Sequence, residues 1–184
     1  MRVLVGLALT VLLGGLAGCG DDGPDATSTS ASPSGAGSSV GSDPTAQVDV
    51  CAQVSEDEVA GVVGGAVTGT TIGTACTFNP ATGSEAPTVQ LATMPYVEEA
   101  GGLENAKATI QQSVDGTPED VSDLGDAAFV VVGTSRTDGW LQGSGGVLLG
   151  GTLAQVTVVQ RAGMTPDDVR RITLELMALA ASKA

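Results

Sequence analysis

The stretch Gly146-Val147-Leu148-Leu149-Gly150-Gly151-Thr152-Leu153-Ala154-Gln155-Val156-Thr157-Val158-Val159 reads as two strands joined by a pair of glycines. A type I′ hairpin turn needs positive φ at both central residues, and Gly150-Gly151 adopts it without side-chain cost. Past the turn, Ala154, Val156 and Val158 face one way while Gln155 and Thr157 face the other. A hairpin of this kind belongs to an antiparallel sheet, and the flanking segments supply the helices that cover it.

Downstream, Met164-Thr165-Pro166-Asp167-Asp168-Val169 is a helix start. Thr165 is the N-cap, Pro166 takes the first turn, and Met164 can staple against Val169. Asp167 and Asp168 meet the positive helix end. Val169, Ile172, Leu176 and Leu179 make the buried stripe. Upstream, Phe129 to Val132 is apolar without alternation, which predicts a strand covered on both faces. It follows a turn over Val121 to Ala128. Leu103, Ala106, Ile110 and Val114 share one face of a second helix, closed by Asp115-Gly116-Thr117-Pro118.

Nearer the start, Val54-Ser55-Glu56-Asp57-Glu58-Val59 carries every part of a capping box. Ser55 is the cap, Glu58 closes the box, and Val54 staples against Val59. Val59, Val62 and Val63 face the core before Gly64-Gly65 ends the helix. Ala66 to Ile72 and Ala75 to Phe78 are β-prone, and Asn79-Pro80 and Gly83 mark a turn. Thr88 to Met94 alternates, with Val89 and Leu91 opposite Thr88, Gln90 and Ala92. The order is helix, three strands, helix, three strands, helix. It predicts an α+β fold, a mostly antiparallel sheet with helices packed on it, and hints at two similar helix-plus-three-strand halves with a C-terminal helix.

Before this domain the composition changes twice. Met1 and Arg2 precede the apolar run Val3 to Leu13, and Leu16-Ala17-Gly18-Cys19 follows, the layout of a secretory signal. That run is too short for a comfortable membrane span. Residues from Gly20 to about Gln47 are Ser, Thr, Gly, Pro, Ala and Asp with Val40 the only large aliphatic, a flexible tether reaching roughly 30 Å. The organisation expected is signal over 1–18, modified cysteine and tether over 19–47, and one globular domain over 48–184.

The 184 residues are 42% hydrophobic but only 2% aromatic, so Ala, Val, Leu and Ile must build the core. A formal charge of −14 excludes nucleic acid as a partner, whose binding rests on Lys and Arg at phosphates. It equally excludes electrostatic adhesion to anionic lipid. Three cysteines occur. With Cys19 in the signal motif, Cys51 and Cys76 remain, and a disulfide is the economical reading beside two free thiols or a redox pair.

No histidine is present, which removes Ser-His-Asp and Cys-His catalysis and the usual zinc sites. No phosphate loop, dinucleotide fingerprint or Gly-x-Ser-x-Gly elbow appears. Glu56-Asp57-Glu58 and Asp167-Asp168 oppose helix dipoles. Glu119, Asp120, Asp123 and Asp126 lie together before a strand without the spacing of a calcium loop, so no metal or cofactor is expected. Asp120, Asp123, Asp126 and Trp140, the sole tryptophan, are the candidate binding residues.

With its lipobox, the chain resembles a bacterial lipoprotein precursor. The Ser/Thr-rich spacer, Cys51 ahead of a capped helix, Thr74-Ala75-Cys76-Thr77-Phe78, Leu124-Gly125-Asp126-Ala127-Ala128 and the closing helix resemble small actinobacterial envelope lipoproteins that share an uncharacterised domain. The intervening Thr77 departs from that pattern, in which an aromatic directly follows the cysteine. The resemblance implies cleavage between Gly18 and Cys19, a diacylglycerol on Cys19, a Cys51–Cys76 disulfide, and a place on the outer face of the cytoplasmic membrane. It implies no activity. The expected function is a non-catalytic binding or scaffold module for an envelope protein or ligand. A carrier of an apolar molecule, or a carboxylate-based cell-wall hydrolase, is the alternative.

Two acyl chains suffice for stable anchoring, and no other membrane-binding feature is present. Cys19→Ser is therefore expected to leave the protein unprocessed or released, as read by detergent partitioning and the mass of the amino-terminal peptide. An unmodified Cys19 in mature wild-type protein would refute this.

Overall fold

The computed structural model describes residues 48–98, 101–160 and 163–184. The signal, Gly18, Cys19 and the tether lie outside the described residues. Two four-to-eight-residue helices open the domain, α1 (Val50–Gln53) and α2 (Glu56–Val63). Strands β1 (Val67–Ile72), β2 (Ala75–Pro80) and β3 (Thr88–Pro95) follow as a meander. Helix α3 (Gly102–Ser113) crosses to the far edge, where β4 (Val114–Asp115) and β5 (Glu119–Val121) both pair with β6 (Ala127–Ser135). Strands β7 (Leu141–Leu149) and β8 (Thr152–Val159) return to lie beside β3, and α4 (Pro166–Ala181) closes the chain. The main order is β1-β2-β3-β8-β7-β6-β4, antiparallel at every pairing. The α+β reading holds.

The hairpin that decides the fold forms as expected. Leu149 pairs with Thr152, and Gly150 and Gly151 have φ of 53° and 89°. Both capping boxes also form. Glu58 accepts from the Ser55 N–H at 2.9 Å, and Asp168 accepts from the Thr165 N–H at 3.0 Å. Cys51 on α1 is bonded to Cys76 on β2, with Cα atoms 5.7 Å apart. Closing a loop of that length contributes about 3 kcal/mol through the unfolded chain.

Two faces of the sheet receive helices unequally. Helices α1, α2 and α4 pack on one face, where Val59, Phe78, Leu91, Val156, Ile172 and Leu176 belong to one core. Among the described helices, α3 alone lies on the other, where Leu103, Ala106 and Ile110 cover Val114, Phe129 and Val131. Strand β6 is thus buried from both sides, as its unbroken apolar run predicts. This also corrects the notion of matched halves. The helix before the first meander covers one face, the helix before the second covers the opposite one, and α4 occupies the place a symmetric partner would take.

Several boundaries differ from expectation, each for a local reason. Val114 ends the helix rather than extending its stripe: its backbone is extended and it opens β4, fully buried beneath α3. Asn79-Pro80 continues β2 instead of turning, because β3 pairs with β2 only from Ala75 to Phe78 and Pro80 needs no ladder donor toward it. In α4 the stripe is broader than predicted, with Thr173 and Met177 buried and Leu179 only half-buried.

Strand β7 begins at Leu141, five residues before the predicted Gly146, and runs through the glycine-rich Gln142-Gly143-Ser144-Gly145-Gly146 that β-propensity disfavours. The glycines are there for space. A Cβ on Gly143 would fall 2.8 Å from Val169 Cγ1 and against Thr173, and one on Gly145 would meet Met177 and the Phe129 carbonyl oxygen. Gly143→Ala is expected to lift α4 from β7 and lower stability by about 1–3 kcal/mol. Gly61→Ala, at an open position inside α2, should raise it by about 1 kcal/mol. Chemical denaturation of the two variants checks the pair; equal effects would mean that α4 does not require the close approach.

Candidate functional site

Alternation in the strands places a second, polar set of side chains on the face that α3 only partly covers. Strand β1 contributes Thr68, Thr70 and Ile72; β2 contributes Ala75, Thr77 and Asn79. Strand β3 adds Thr88, Gln90, Ala92 and Met94, and β8 adds Gln155, Thr157 and Val159. Strand β7 completes the set with Gln142 and Ser144, opposite Val159 and Thr157. None of these side chains carries a charge. Every one is exposed or half-buried except Ser144. Register aligns like with like: Thr70 pairs with Thr77, Thr77 with Gln90, and Gln90 with Thr157.

Part of this surface is already ordered by its own hydrogen bonds. Gln142 Nε2 donates to Ser144 Oγ at 2.9 Å, and Ser144 Oγ lies 3.4 Å from Thr157 Oγ1. The covered half is different. There Gly146 lets Phe129 and Leu153 meet across the strand, since a Cβ at Gly146 would stand 2.8 Å from the Phe129 ring.

Where α3 begins, a groove of about 270 Å³ runs between that helix and the ends of β3 and β8. Met94, Tyr96, Val97, Ala106, Thr109 and Leu153 are among its lining residues, with Gln155 linking it to the open face. Gly101 is the N-cap of α3 in a left-handed conformation and offers no side-chain cap. At Gly102 a Cβ would crowd the Tyr96 hydroxyl at 2.6 Å, so this glycine gives the tyrosine its seat. A second groove of similar volume, lined by Val48, Asp126, Leu148, Leu149 and Ala184, lies on another part of the surface.

The predicted binding residues do not converge. Glu119 and Asp120 stand on β5 rather than in a loop, and Asp120 accepts from Lys107 Nζ at 2.8 Å. Asp123 has φ of 63° in the turn, and Asp126 accepts from the Gly150 N–H at 2.9 Å, bracing the hairpin. Asp120 and Asp126 thus each hold a contact within the fold. Trp140 lies elsewhere: its carbonyl accepts from the Ser135 N–H, at the opposite end of β7 from Leu148 and Asp126. It is 48% exposed and continues the open face's end beyond Gln142. The acidic stretch and the tryptophan are therefore separate features. What the sequence left unread is the open face, although alternation in Thr88–Met94 and Thr152–Val159 already marked its two central strands.

Charge is held away from that face. Each of the five lysines and arginines among the described residues is engaged by a carboxylate: Lys107, Arg136, Arg170, Arg171 and Lys183. Lys107 is the least exposed of them, bridging Glu104 and Asp120 while standing 5.9 Å from the Phe129 ring centroid. Asp120 and then Glu104 raise its ammonium above the ordinary lysine value. Among the described residues no group of three or more Asp, Glu, Cys or His side chains is arranged to hold a metal ion.

No family, curated protein or solved structure matches the chain.

Glu58 offers an electrostatic test. The Lys183 ammonium at 2.6 Å, then the Ser55 N–H and hydroxyl, lower its carboxyl to about 2. A carboxylate lowered by folding stabilises above its unfolded value and loses that contribution as pH falls through the folded one. The Glu58 contribution should therefore be complete above about pH 5 and vanish toward pH 2. Lys183→Ala is expected to move the Glu58 titration, followed by carboxyl NMR, back toward the ordinary range. An unmoved titration would show that Lys183 is not the cause.

Proposed function

We propose that this chain is a lipid-anchored module on the outer face of a bacterial cytoplasmic membrane, holding an envelope partner by non-catalytic contact with its open sheet face. The observation that carries the reading is the uncharged face itself, broad, solvent-accessible and continuous with an apolar groove. On a chain with 21 acidic residues, a strand-wide surface free of charge is a distinct chemical environment. Anchoring through Cys19 and the tether would leave this face free to meet a partner beyond the membrane.

Two features weigh against the alternatives. Among the described residues, the carboxyl groups whose proton affinity is clearly shifted, Glu58, Asp138 and Asp168, are all shifted downward. A glycosidase's general acid is held in the opposite direction. Each groove, at about 270 Å³, is smaller than the roughly 300–1,000 Å³ that pockets enclosing a drug-sized ligand reach. A lipid carrier asks for more.

A photo-crosslinking residue at Gln90, on the open face, and one at Glu175, on the outer side of α4, separate the surfaces in intact producing cells. Gln90 should yield discrete adducts and Glu175 few. Equal labelling from both positions, or none from Gln90, would refute the reading.

A further inference from the structure

Across this sheet face the usual anatomy of a protein interface is inverted. Protein partners meet through an apolar core inside a polar rim. Here the middle carries hydroxyls and amides, Thr77, Gln90, Gln155 and Thr157, with only the small Ala92 set among them. The large exposed apolar groups stand at its margins instead. Ile72 ends β1, Met94 is near the end of β3, and Trp140 precedes β7.

We propose that this face binds an uncharged polysaccharide chain. The inference rests on the binding function proposed above and names its ligand class. Three observations select it. First, the chain's net charge is −14 and each described cation is already ion-paired. An anionic polymer is repelled by the acidic chain and finds no free base among the described residues, while a cationic partner would be drawn to the carboxylates rather than to this face.

Second, threonine hydroxyls and glutamine amides both donate and accept, matching a polymer whose surface is hydroxyl throughout. A ligand without hydroxyls would strand those groups unpaired, at about 1–3 kcal/mol each where they become buried. The Gln142–Ser144–Thr157 chain is already fixed within the protein, so less ordering is required on binding.

Third, aromatic side chains mark both ends. Tyr96 lines the groove beside Met94 at the end where Pro95 pairs with Thr152, and Trp140 stands beyond the end where Gln142 pairs with Val159. The eight residues of β8 between those ends span about 25 Å, room for several sugar rings with an aromatic platform at each limit. A second copy of this chain would place two strongly acidic molecules together over a polar centre, which charge and chemistry both disfavour.

The test uses the full lipidated chain in detergent and the producing cell's wall polysaccharide, separated into neutral and acidic fractions and immobilised. Wild type should be retained on the neutral fraction and not on the acidic one. Gln90→Glu with Gln155→Glu, a change of charge with almost no change of shape, should reduce retention at least tenfold, and so should Trp140→Ala. Melting temperatures of the variants establish that they are folded. Retention by a soluble neutral competitor should fall in step. No retention on the neutral fraction, retention on the acidic fraction alone, or full retention by the folded charge variant would overturn the proposal. Comparison with Gln90 crosslinking separates the two levels. Adducts to a protein or to a second copy, without polysaccharide retention, would sink the ligand class and leave the binding function standing. Absence of both would sink them together.

Discussion

With two phenylalanines, one tryptophan and one tyrosine in 184 residues, the core is filled mainly by valine, leucine and alanine. Small side chains exclude water only if the layers that carry them come close together. The approach of α4 to β7 meets that need. Gly143 and Gly145 remove the side chains that would hold the helix off, and Val169, Thr173 and Met177 descend into the space. The Thr173 hydroxyl, fully buried there, is satisfied within the helix by donating to the Val169 carbonyl at 2.7 Å. Helices α1 and α2 complete the same layer, with the disulfide tying α1 to β2. Once three helices share one face, α3 is left to cover the other, where its main strand neighbours are β4, β6 and β7. The open surface is a consequence of how the core is filled.

Much of this was legible from local patterns. Caps at Ser55 and Thr165, the Gly150-Gly151 hairpin and the two-sided burial of Phe129–Val132 follow from residue chemistry within a few positions. The misread parts depend on distant contacts. Glycines in Gln142–Gly146 argue against a strand until α4 and Phe129 are placed against them. Glu119 and Asp120 look like an acidic turn until β6 is there to pair with them. Trp140 and Asp126 are 14 positions apart, with most of that interval forming β6 and its turn, and an antiparallel return separates rather than joins them. The open face is the same problem at larger scale. Alternation assigns sides within a strand, but only the sheet order shows that the polar sides of β1, β2, β3 and β8 coincide.

Edge protection explains where several of the acids lie. At the far edge, β4 and β5 are interrupted by Gly116-Thr117-Pro118, which removes a donor and breaks the ladder. Asp115, Glu119 and Asp120 flank that break and take Arg136, Arg170 and Lys107 as partners. At the near edge the device is subtler: Glu56 reaches from α2 to accept the Gly69 N–H of β1 at 2.7 Å. A carboxylate occupying an edge donor blocks a foreign strand from completing the ladder. The edges are thus guarded by charge and the broad face beside them is kept free of it. That contrast leaves strand addition at the edges disfavoured.

A flat neutral face implies individually weak contacts, because its hydroxyls and amides exchange water for ligand at little net gain. Its platform of aromatics is sparse, and the groove beside α3 is shallow. Affinity would then have to come from repetition. On the proposed anchoring, many copies share one membrane surface, each on a tether reaching roughly 30 Å, and a polymer offers many equivalent stretches. Linked engagements of this kind exceed single-site affinity by about 10²–10⁴ without any new contact, provided the tether spans neighbouring sites. The proposed tether would be consistent with a disulfide-strapped domain and a repetitive face in that regime. A deep pocket would gain nothing from the tether's length, whereas a face that binds and releases along a polymer depends on it.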